Sequence, residues 1–522
     1  MKHEPPHPLR VLQVCAEIFP LLKTGGLADV AGALPKALMQ AAPAGAAGPV
    51  AAAGNTAAAT EVRVLLPGFA AILAGLTEVS DLGELHDHPG GAPARLLRGR
   101  LPAVAAPAGQ PVVAYVIDAP ALYQRPGGPY NDERGQAHGD NHRRFGLLGW
   151  TAAHLGWGVP RTLDAGWQAD VVHAHDWHAA LAPAYLAAAR RRSHHAVAAS
   201  VYTVHNLAYQ GVFDAERFGD LGLPREFAGI DGLEFYGQIN FMKAGLNFAD
   251  HLTTVSPTYA REIQGEEQGC GLDGLLRKRS AQLSGILNGV DEAVWDPASD
   301  TGLVARYKVG RMAGKVKVKA ALQAELGLAV RKDAPLFCVV SRLTEQKGLH
   351  LVQQVLPTLR DLGAQFALLG SGEPGLEAAF RAQAEAAPEQ VAVKLGYDEA
   401  FAHRLVAASD FILVPSRFEP CGLTQLYGLK YGTLPIVRRV GGLADTVADS
   451  RLETLDSTAT GFVFDSFSPA GLLAAIERGL ALWRRPADWQ QVQGRAMQMD
   501  SSWAPVARRY LALYAELQRQ RH

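Results

Sequence analysis

The sequence predicts an α/β protein made of two Rossmann-like, doubly wound domains, and three observations carry that prediction. Short apolar runs of strand type alternate with stretches of helical spacing, which implies a mostly parallel sheet covered on both faces. The alternation stops and then restarts at residue 335, so there are two such series. Between them, 284–297 (SGILNGVDEAVWDP) carries Asn-Gly and Asp-Pro, which mark turns and a break.

The first series opens with 9–15 (LRVLQVC), and helical spacing begins at Leu27. Further buried strands are expected at 62–67 (VRVLLP), 111–117 (PVVAYVI), 170–174 (DVVHA), 200–204 (SVYTV) and 251–255 (HLTTV). The second series places strands at 335–341 (PLFCVVS), 365–370 (QFALLG), 391–396 (VAVKLG), 410–415 (DFILVP) and 433–437 (TLPIV). From about Pro505 the chain reads as one helix, with Tyr510, Leu511, Leu513, Tyr514 and Leu517 on an apolar stripe. The expected domains are 1–285, 286–500 and a terminal helix, 501–522. Two stretches depart from this rhythm. Residues 41–60 are almost wholly Ala, Gly, Pro and small polar residues and read as a flexible surface loop. Residues 86–110 are rich in Pro, Gly and Ala and give only a weak signal.

Composition narrows the function classes. Of 522 residues, 48% are hydrophobic and 19% charged, enough for large cores and too apolar for a disordered chain. Lys and Arg number 50 against 51 Asp and Glu, which argues against a bulk nucleic-acid binder but leaves room for a local anion site. The four cysteines, at 15, 270, 338 and 421, form neither a CxxC pair nor a disulfide framework, so a reducing cytoplasm is expected. The N-terminus MKHEPPHPLR has no apolar h-region. No apolar run approaches the ~18 residues of a membrane span. A soluble cytoplasmic protein with no membrane partner is expected.

Four constellations could carry chemistry. Lys23-Thr24-Gly25-Gly26-Leu27-Ala28-Asp29 follows a strand and opens a helix. Paired glycines, a helix N-terminus and a lysine suit a phosphate or diphosphate, and a plain glycine turn with a solvated lysine suits the same letters. Arg342 and Lys347 lie in SRLTEQKG, just past a strand, where ligands of open α/β sheets bind. They could point at one diphosphate or be two solvated cations. Glu419 in RFEPCGLTQ could accept hydrogen bonds from sugar hydroxyls or cap the following helix, whose Gly422, Leu423 and Thr424 present backbone N–H groups. In His173-Ala174-His175-Asp176-Trp177-His178, strand alternation puts His173 and His175 on one face. A third metal ligand is not assured. Trp177 suits a sugar-stacking surface, and satisfied structural histidines remain the plain reading. His205 and Asn206 end the next strand and could line the same site. The internal echo of GGLADV (25–30) in GGLADTV (441–447) reads as shared turn chemistry or as two helix N-termini facing one anion. GSGEPG (370–375) matches the dinucleotide fingerprint GxGxxG, but Pro374 crowds the loop and the next strand carries Lys394 and no carboxylate.

Taken together, KTGGLADV, HAHDWHA, TVHNLAYQG, SRLTEQKGL, PSRFEPCGLTQLYG, LKYGTLP and GGLADTV resemble the bacterial glycogen synthases, retaining glycosyltransferases of family 5. The resemblance runs in order from about Leu9 to the C-terminal helix. It implies a GT-B fold, two Rossmann-like domains facing each other across a deep cleft, with the last helix returning to the first domain. It implies transfer of glucose from ADP-glucose to the non-reducing end of an α-1,4-glucan such as glycogen, with retained configuration. A related transferase using UDP-glucose or another acceptor is the alternative, and a non-catalytic glucan binder is a third reading. By matched motif, Lys23 is the donor-phosphate lysine, helped by Gly25, Gly26 and Asp29. Arg342 and Lys347 neutralise the departing diphosphate. Glu419 holds donor hydroxyls, and Cys421 to Leu423 contact the sugar through their backbone. His175 bonds the donor glucose near its 6-hydroxyl, Tyr397 lies beside the adenine, and Asn288 reaches the sugar from the hinge. Tyr427 stands where many retaining GT-B enzymes carry a second Glu, and no DxD metal signature ends a strand in the donor half. The resemblance therefore implies neither metal nor cofactor, with cations stabilising the leaving group. The absence of an evident carboxylate nucleophile favours a front-face route.

Overall fold

The computed structural model describes residues 8–41, 60–105, 111–158, 163–193 and 195–521. The Ala/Gly-rich stretch read at 41–60 lies outside them except for its two end residues. The chain forms two compact units. Unit 1 comprises Met1–Val255, Ala260–Ile286 and Trp503–His522, and unit 2 comprises Ser256–Tyr259 and Leu287–Ser502.

The strands of unit 1, in chain order, are β1 (Arg10–Val14), β2 (Glu61–Pro67), β3 (Thr77–Glu84), β4 (Arg95–Ala105), β5 (Pro111–Asp118), β6 (Val171–His175), β7 (Ala199–Val204), β8 (Val212–Asp214), β9 (Glu234–Phe235), β10 (Gln238–Asn240), β11 (His251–Thr254) and β12 (Leu283–Gly285). Nine form one sheet in the order β12-β11-β7-β6-β1-β2-β5-β4-β3, and β8-β10-β9 form a small second sheet. From β12 to β5 every pairing is parallel. β6 and β7 are buried at every position, as befits parallel strands with helices on both faces.

The antiparallel ribbon β3–β4, at the edge beyond β5, is where the sequence reading fell short. β4 lies inside the 86–110 stretch with the weak signal. It is not a continuous apolar run: Leu96, Leu101 and Val104 are buried, and three partly exposed arginines stand among them. Its strand character comes from the ladder with β5 more than from composition.

The helix Trp503–Arg519 packs Tyr510, Leu511, Tyr514 and Leu517 against Val30, Leu34 and Leu38 of the helix Gly26–Gln40 and against Val11 of β1. Its stripe is the one the sequence shows, and its polar residues also engage: the amide of Gln518 donates to the Asp170 carbonyl at 2.8 Å.

Unit 2 contains β13 (Leu336–Val340), β14 (Gln365–Gly370), β15 (Val391–Leu395), β16 (Phe411–Val414), β17 (Leu434–Arg438) and β18 (Phe462–Phe464), in the order β15-β14-β13-β16-β17-β18, all parallel. The three residues of β18 are too few to give a periodic signal. Phe337 of β13 stacks on Phe411 of β16 at 4.5 Å in the core. No helix among the described residues is long and apolar enough to cross a membrane.

Candidate active site

In both units the residues singled out by sequence stand at the carboxyl ends of the parallel strands, the usual ligand-binding edge of such sheets. In unit 1, β6 ends on His175, which is 1% exposed. Its Nε2 lies 2.6 Å from the Gln13 amide oxygen on β1, and its Nδ1 lies 2.9 Å from His205 Nε2. A carbonyl oxygen can only accept, so His175 carries its proton on Nε2, and His205 donates from Nε2 to His175 Nδ1. Gln13 turns its NH₂ toward His173 Nδ1, at 3.2 Å, and toward the Tyr514 hydroxyl. His173 in turn lies 2.6 Å from Thr203 Oγ1. Burial holds His173 and His205 neutral, each with its pKa lowered to about 3, and His175 well below the usual range with help from its histidine neighbours. Four elements thus fix one tautomer of one imidazole.

Asp176, in the left-handed region at φ 55°, accepts the backbone N–H groups of His205, at 2.7 Å, and Asn206. Burial pushes its carboxyl up to about 7 against those stabilising bonds. The Asn206 side-chain oxygen accepts from Ala208 N at 3.0 Å and so shapes its own turn. Trp177 is half-buried, with its ring 4.8 Å from that of Phe145 and 4.5 Å from that of His178. The backbone of Gly211 lies against the same ring, where a Cβ would come within 2.3 Å. The ring offered by sequence as a sugar platform is engaged in packing.

The Lys23 loop is held by a residue the sequence reading missed. Glu17, 2% exposed, accepts from the backbone N–H and hydroxyl of Thr24 at 2.5 and 2.6 Å and from the Tyr130 hydroxyl. Lys23 pairs with Asp29 at 2.9 Å and lies over the Phe19 ring. Gly25 and Gly26 are exposed, and nothing lies within 4 Å of a Cβ built on Gly25, so the backbone entering the helix Gly26–Gln40 is open to a ligand. A lone carboxylate just past a strand end was the available signal for Glu17; for Gln13, a polar residue on a buried strand was the signal.

In unit 2, Lys347 Nζ lies 2.6 Å from Glu419 Oε2, and the Ser416 hydroxyl donates to the same oxygen at 2.8 Å. Lys347, Glu419, Ser341, Gly422, Leu423 and Thr424 line one pocket. Gly441 and Gly442 let their backbone seat against the 419–421 loop, since a Cβ on either would come within about 2 Å of the Glu419 or Cys421 carbonyl oxygen. The Cys421 thiol is pushed up to about 12 by burial, with Asn288 hydrogen-bonded beside it. Arg342 is exposed just past β13, and Tyr397, beyond β15, is 68% exposed. The helix after the loop, Thr424–Lys430, has only seven residues. Tyr427 stacks on Trp295 at 3.8 Å, nearly parallel, so the position of the second Glu in related enzymes is occupied by a packing ring.

Two motifs resolve into packing. In GSGEPG, a Cβ on Gly370 or Gly372 would strike the carbonyl oxygens of Ser341 or Leu343, so those glycines bring two strand-end loops together. The echoed Asp445 does not repeat the pairing of Asp29: it accepts from the N–H and hydroxyl of Thr258 at 2.8 and 2.6 Å.

The starch synthase catalytic-domain family model matches residues 10–44 and 47–278, and the glycosyl transferases group 1 model matches 327–493. The chain is 63% identical to a glycogen synthase of Leptothrix cholodnii over 98% of its length and all of the relative's. It is 57% identical to a glycogen synthase of Variovorax paradoxus, covering 97% of this chain and 99% of the relative. Among solved structures, the catalytic domain of starch synthase IV from Arabidopsis thaliana, bound to ADP and acarbose, superposes with a TM-score of 0.84 at 30% identity, covering 98% of this chain and all of that one.

Proposed function

The chain belongs to the glycogen and starch synthase family of GT-B glycosyltransferases, and from that premise we propose that it transfers glucose from ADP-glucose to the non-reducing end of an α-1,4-glucan, with retained configuration and release of ADP. The observation that carries the reading is the Lys347–Glu419 pair in the strand-end pocket of unit 2. Breaking the glucosyl–phosphate bond puts negative charge on the diphosphate. Lys347 and Arg342 supply fixed positive charge to it, each worth roughly 3 kcal/mol when well placed. Lys347 and Ser416 share Glu419 Oε2, which leaves Oε1 to orient donor hydroxyls.

The remaining roles follow the matched motifs. The backbone of Cys421 to Leu423 faces the sugar, Asn288 steadies that loop, and the exposed Tyr397 ring stacks on the adenine. His175, neutral and with both ring nitrogens engaged by Gln13 and His205, meets the sugar by exchanging one of those bonds for a hydroxyl. Lys23, at an open helix entrance, binds donor phosphate after exchanging Asp29 for it. Charge stabilisation is assigned to side chains, and the proposal includes neither a metal nor a resident cofactor. A cytoplasmic location completes the reading and suits four free cysteines.

The test is ADP release from ADP-glucose and glycogen with chelator present, run beside UDP-glucose. Turnover of ADP-glucose is expected to dominate. Turnover of UDP-glucose alone, or a strict need for added metal, would overturn the donor assignment or the charge assignment respectively.

A further inference from the structure

Among the described residues of unit 1, five large apolar side chains are exposed: Val79, Tyr209, Val212, Ile230 and Tyr236. Four of the five fall between residues 209 and 236. The most exposed, Tyr236 at 81%, stands at the tip of the hairpin joining β9 to β10. Tyr236 and Gly237 have φ of 50° and 80°, the left-handed pair of a two-residue hairpin turn. Asn or Asp is at home at the first of these positions, and a bulky aromatic is not. A tyrosine there is conformationally strained while its ring gains little burial. Strain of that kind at an exposed tip points to a use for the ring.

The surroundings say what use. The Tyr236 ring meets Phe235 edge-on at 4.7 Å, and the backbone of Gly271 backs both rings, with φ 80° after Cys270 at φ 49°. The Cys270 carbonyl accepts from the amide of Gln210 at 3.0 Å, and Gln210 also receives Asn240 at the foot of the same hairpin, at 2.6 Å. Tyr209, half exposed, is the neighbour of Gln210, and Gly211, one residue on, lies against the Trp177 ring beside His175. Two tyrosines are thus displayed from one braced platform that continues into the strand-end site. Rings with polar tips, open to water and rigidly backed, suit the apolar faces of pyranose rings.

We propose that Tyr236 and Tyr209 form a stacking subsite for the acceptor, an α-1,4-linked glucan chain, and so set acceptor affinity. The inference rests on the glucan-acceptor reading above. The test compares wild type with Tyr236→Asn, Tyr236→Ala, Tyr236→Trp and Tyr209→Ala, using maltoheptaose and glycogen as acceptors and calorimetry of maltoheptaose binding without donor. Tyr236→Asn removes the ring while relieving the turn, so its melting temperature is expected to equal or exceed that of wild type. Its acceptor KM is expected to rise roughly three- to tenfold, with the donor KM unmoved, because a stacked ring contributes about that much. Tyr209→Ala moves the same way by less, and Tyr236→Trp retains acceptor affinity. An unchanged acceptor KM in a folded Tyr236→Asn protein overturns the subsite. If wild type transfers nothing from ADP-glucose, the donor reading fails. Calorimetry then still decides this inference, which stands if maltoheptaose binds and Tyr236→Asn weakens it, and falls otherwise.

Discussion

At the ends of β6 and β7 in unit 1 stand uncharged rings chained by hydrogen bonds, whereas past β13 and β16 in unit 2 an ion is held against an ion. His173, His175 and His205 are buried neutral, and each proton in the chain has one possible owner. Lys347 and Glu419 meet as a pair at 2.6 Å with a hydroxyl added. The two designs suit different chemistries. A sugar hydroxyl needs directed donors and acceptors that do not titrate. A departing diphosphate needs positive charge that is already in place when the bond breaks, since such groups cost no reorganisation at that moment.

The sharpest way to break this contrast is to remove the cation. Lys347→Ala is expected to lower kcat about a hundred- to a thousandfold, the usual effect of losing one preorganised donor to developing charge. The fold should survive, because Ser416 still holds Glu419. Lys347→Arg should retain part of the rate. Initial rates of ADP release decide it. A rise in donor KM with kcat unchanged would show that Lys347 binds the ground state and transition state alike, and the two units would then not differ in kind.

Next in size is the imidazole. His175→Ala is expected to lower kcat/KM about tenfold, the effect of one hydrogen bond that the ring exchanges for a bound hydroxyl. Gln13→Glu sharpens the point without touching substrate. It keeps an acceptor for His175 Nε2 but places a carboxylate there, which favours a charged imidazole. An added ionisation in the pH profile of kcat/KM, absent from wild type, is the expected signature. A structural role alone would shift only stability.

The longer parallel strands of both sheets were legible because burial on two faces leaves near-continuous apolar runs, and the three-residue β12 and β18 were not. The ribbon β3–β4 was not, since one of its faces is solvated and its partner supplies the order. The same distinction runs through the site. Lys23, His175, Lys347 and Glu419 announce themselves as motifs at strand ends. Gln13 and Glu17 do not, because Gln13 meets His175 and Glu17 meets Tyr130 only once the chain has folded, and Ser416 is a lone hydroxyl whose bond to nearby Glu419 carries no motif. For Trp177 the letters suit a sugar face and leave out what folding adds, the packing of Gly211 and Phe145 against its ring.

The smallest expected effect is a difference in acid sensitivity. His173 and His205 have folded pKa values near 3 against an ordinary 6.5, so as pH falls the unfolded chain takes up protons first. Their contribution is complete above about 6.5 and is lost on the way down, with a slope of up to about 1.4 kcal/mol per pH unit for each group. His178, lowered to about 3 by burial, adds to them. Asp176 works the other way: its folded pKa is raised to about 7 from 3.8, so the folded state holds that proton longer and gains as pH falls through this window. One carboxyl offsets part of what three histidines and the likewise depressed His175 remove. In unit 2, buried Lys315 has its pKa lowered to about 7 from 10.5, so below about 7 it is protonated in both states and adds no dependence. Hydrogen exchange between about pH 7 and pH 5, corrected for intrinsic rates, should therefore show faster opening of β6 and β7 and little change in β13 and β16. Equal loosening of both sheets would mean that the histidine chain is partly protonated in the folded protein, and the contrast between neutral rings and paired ions would not hold.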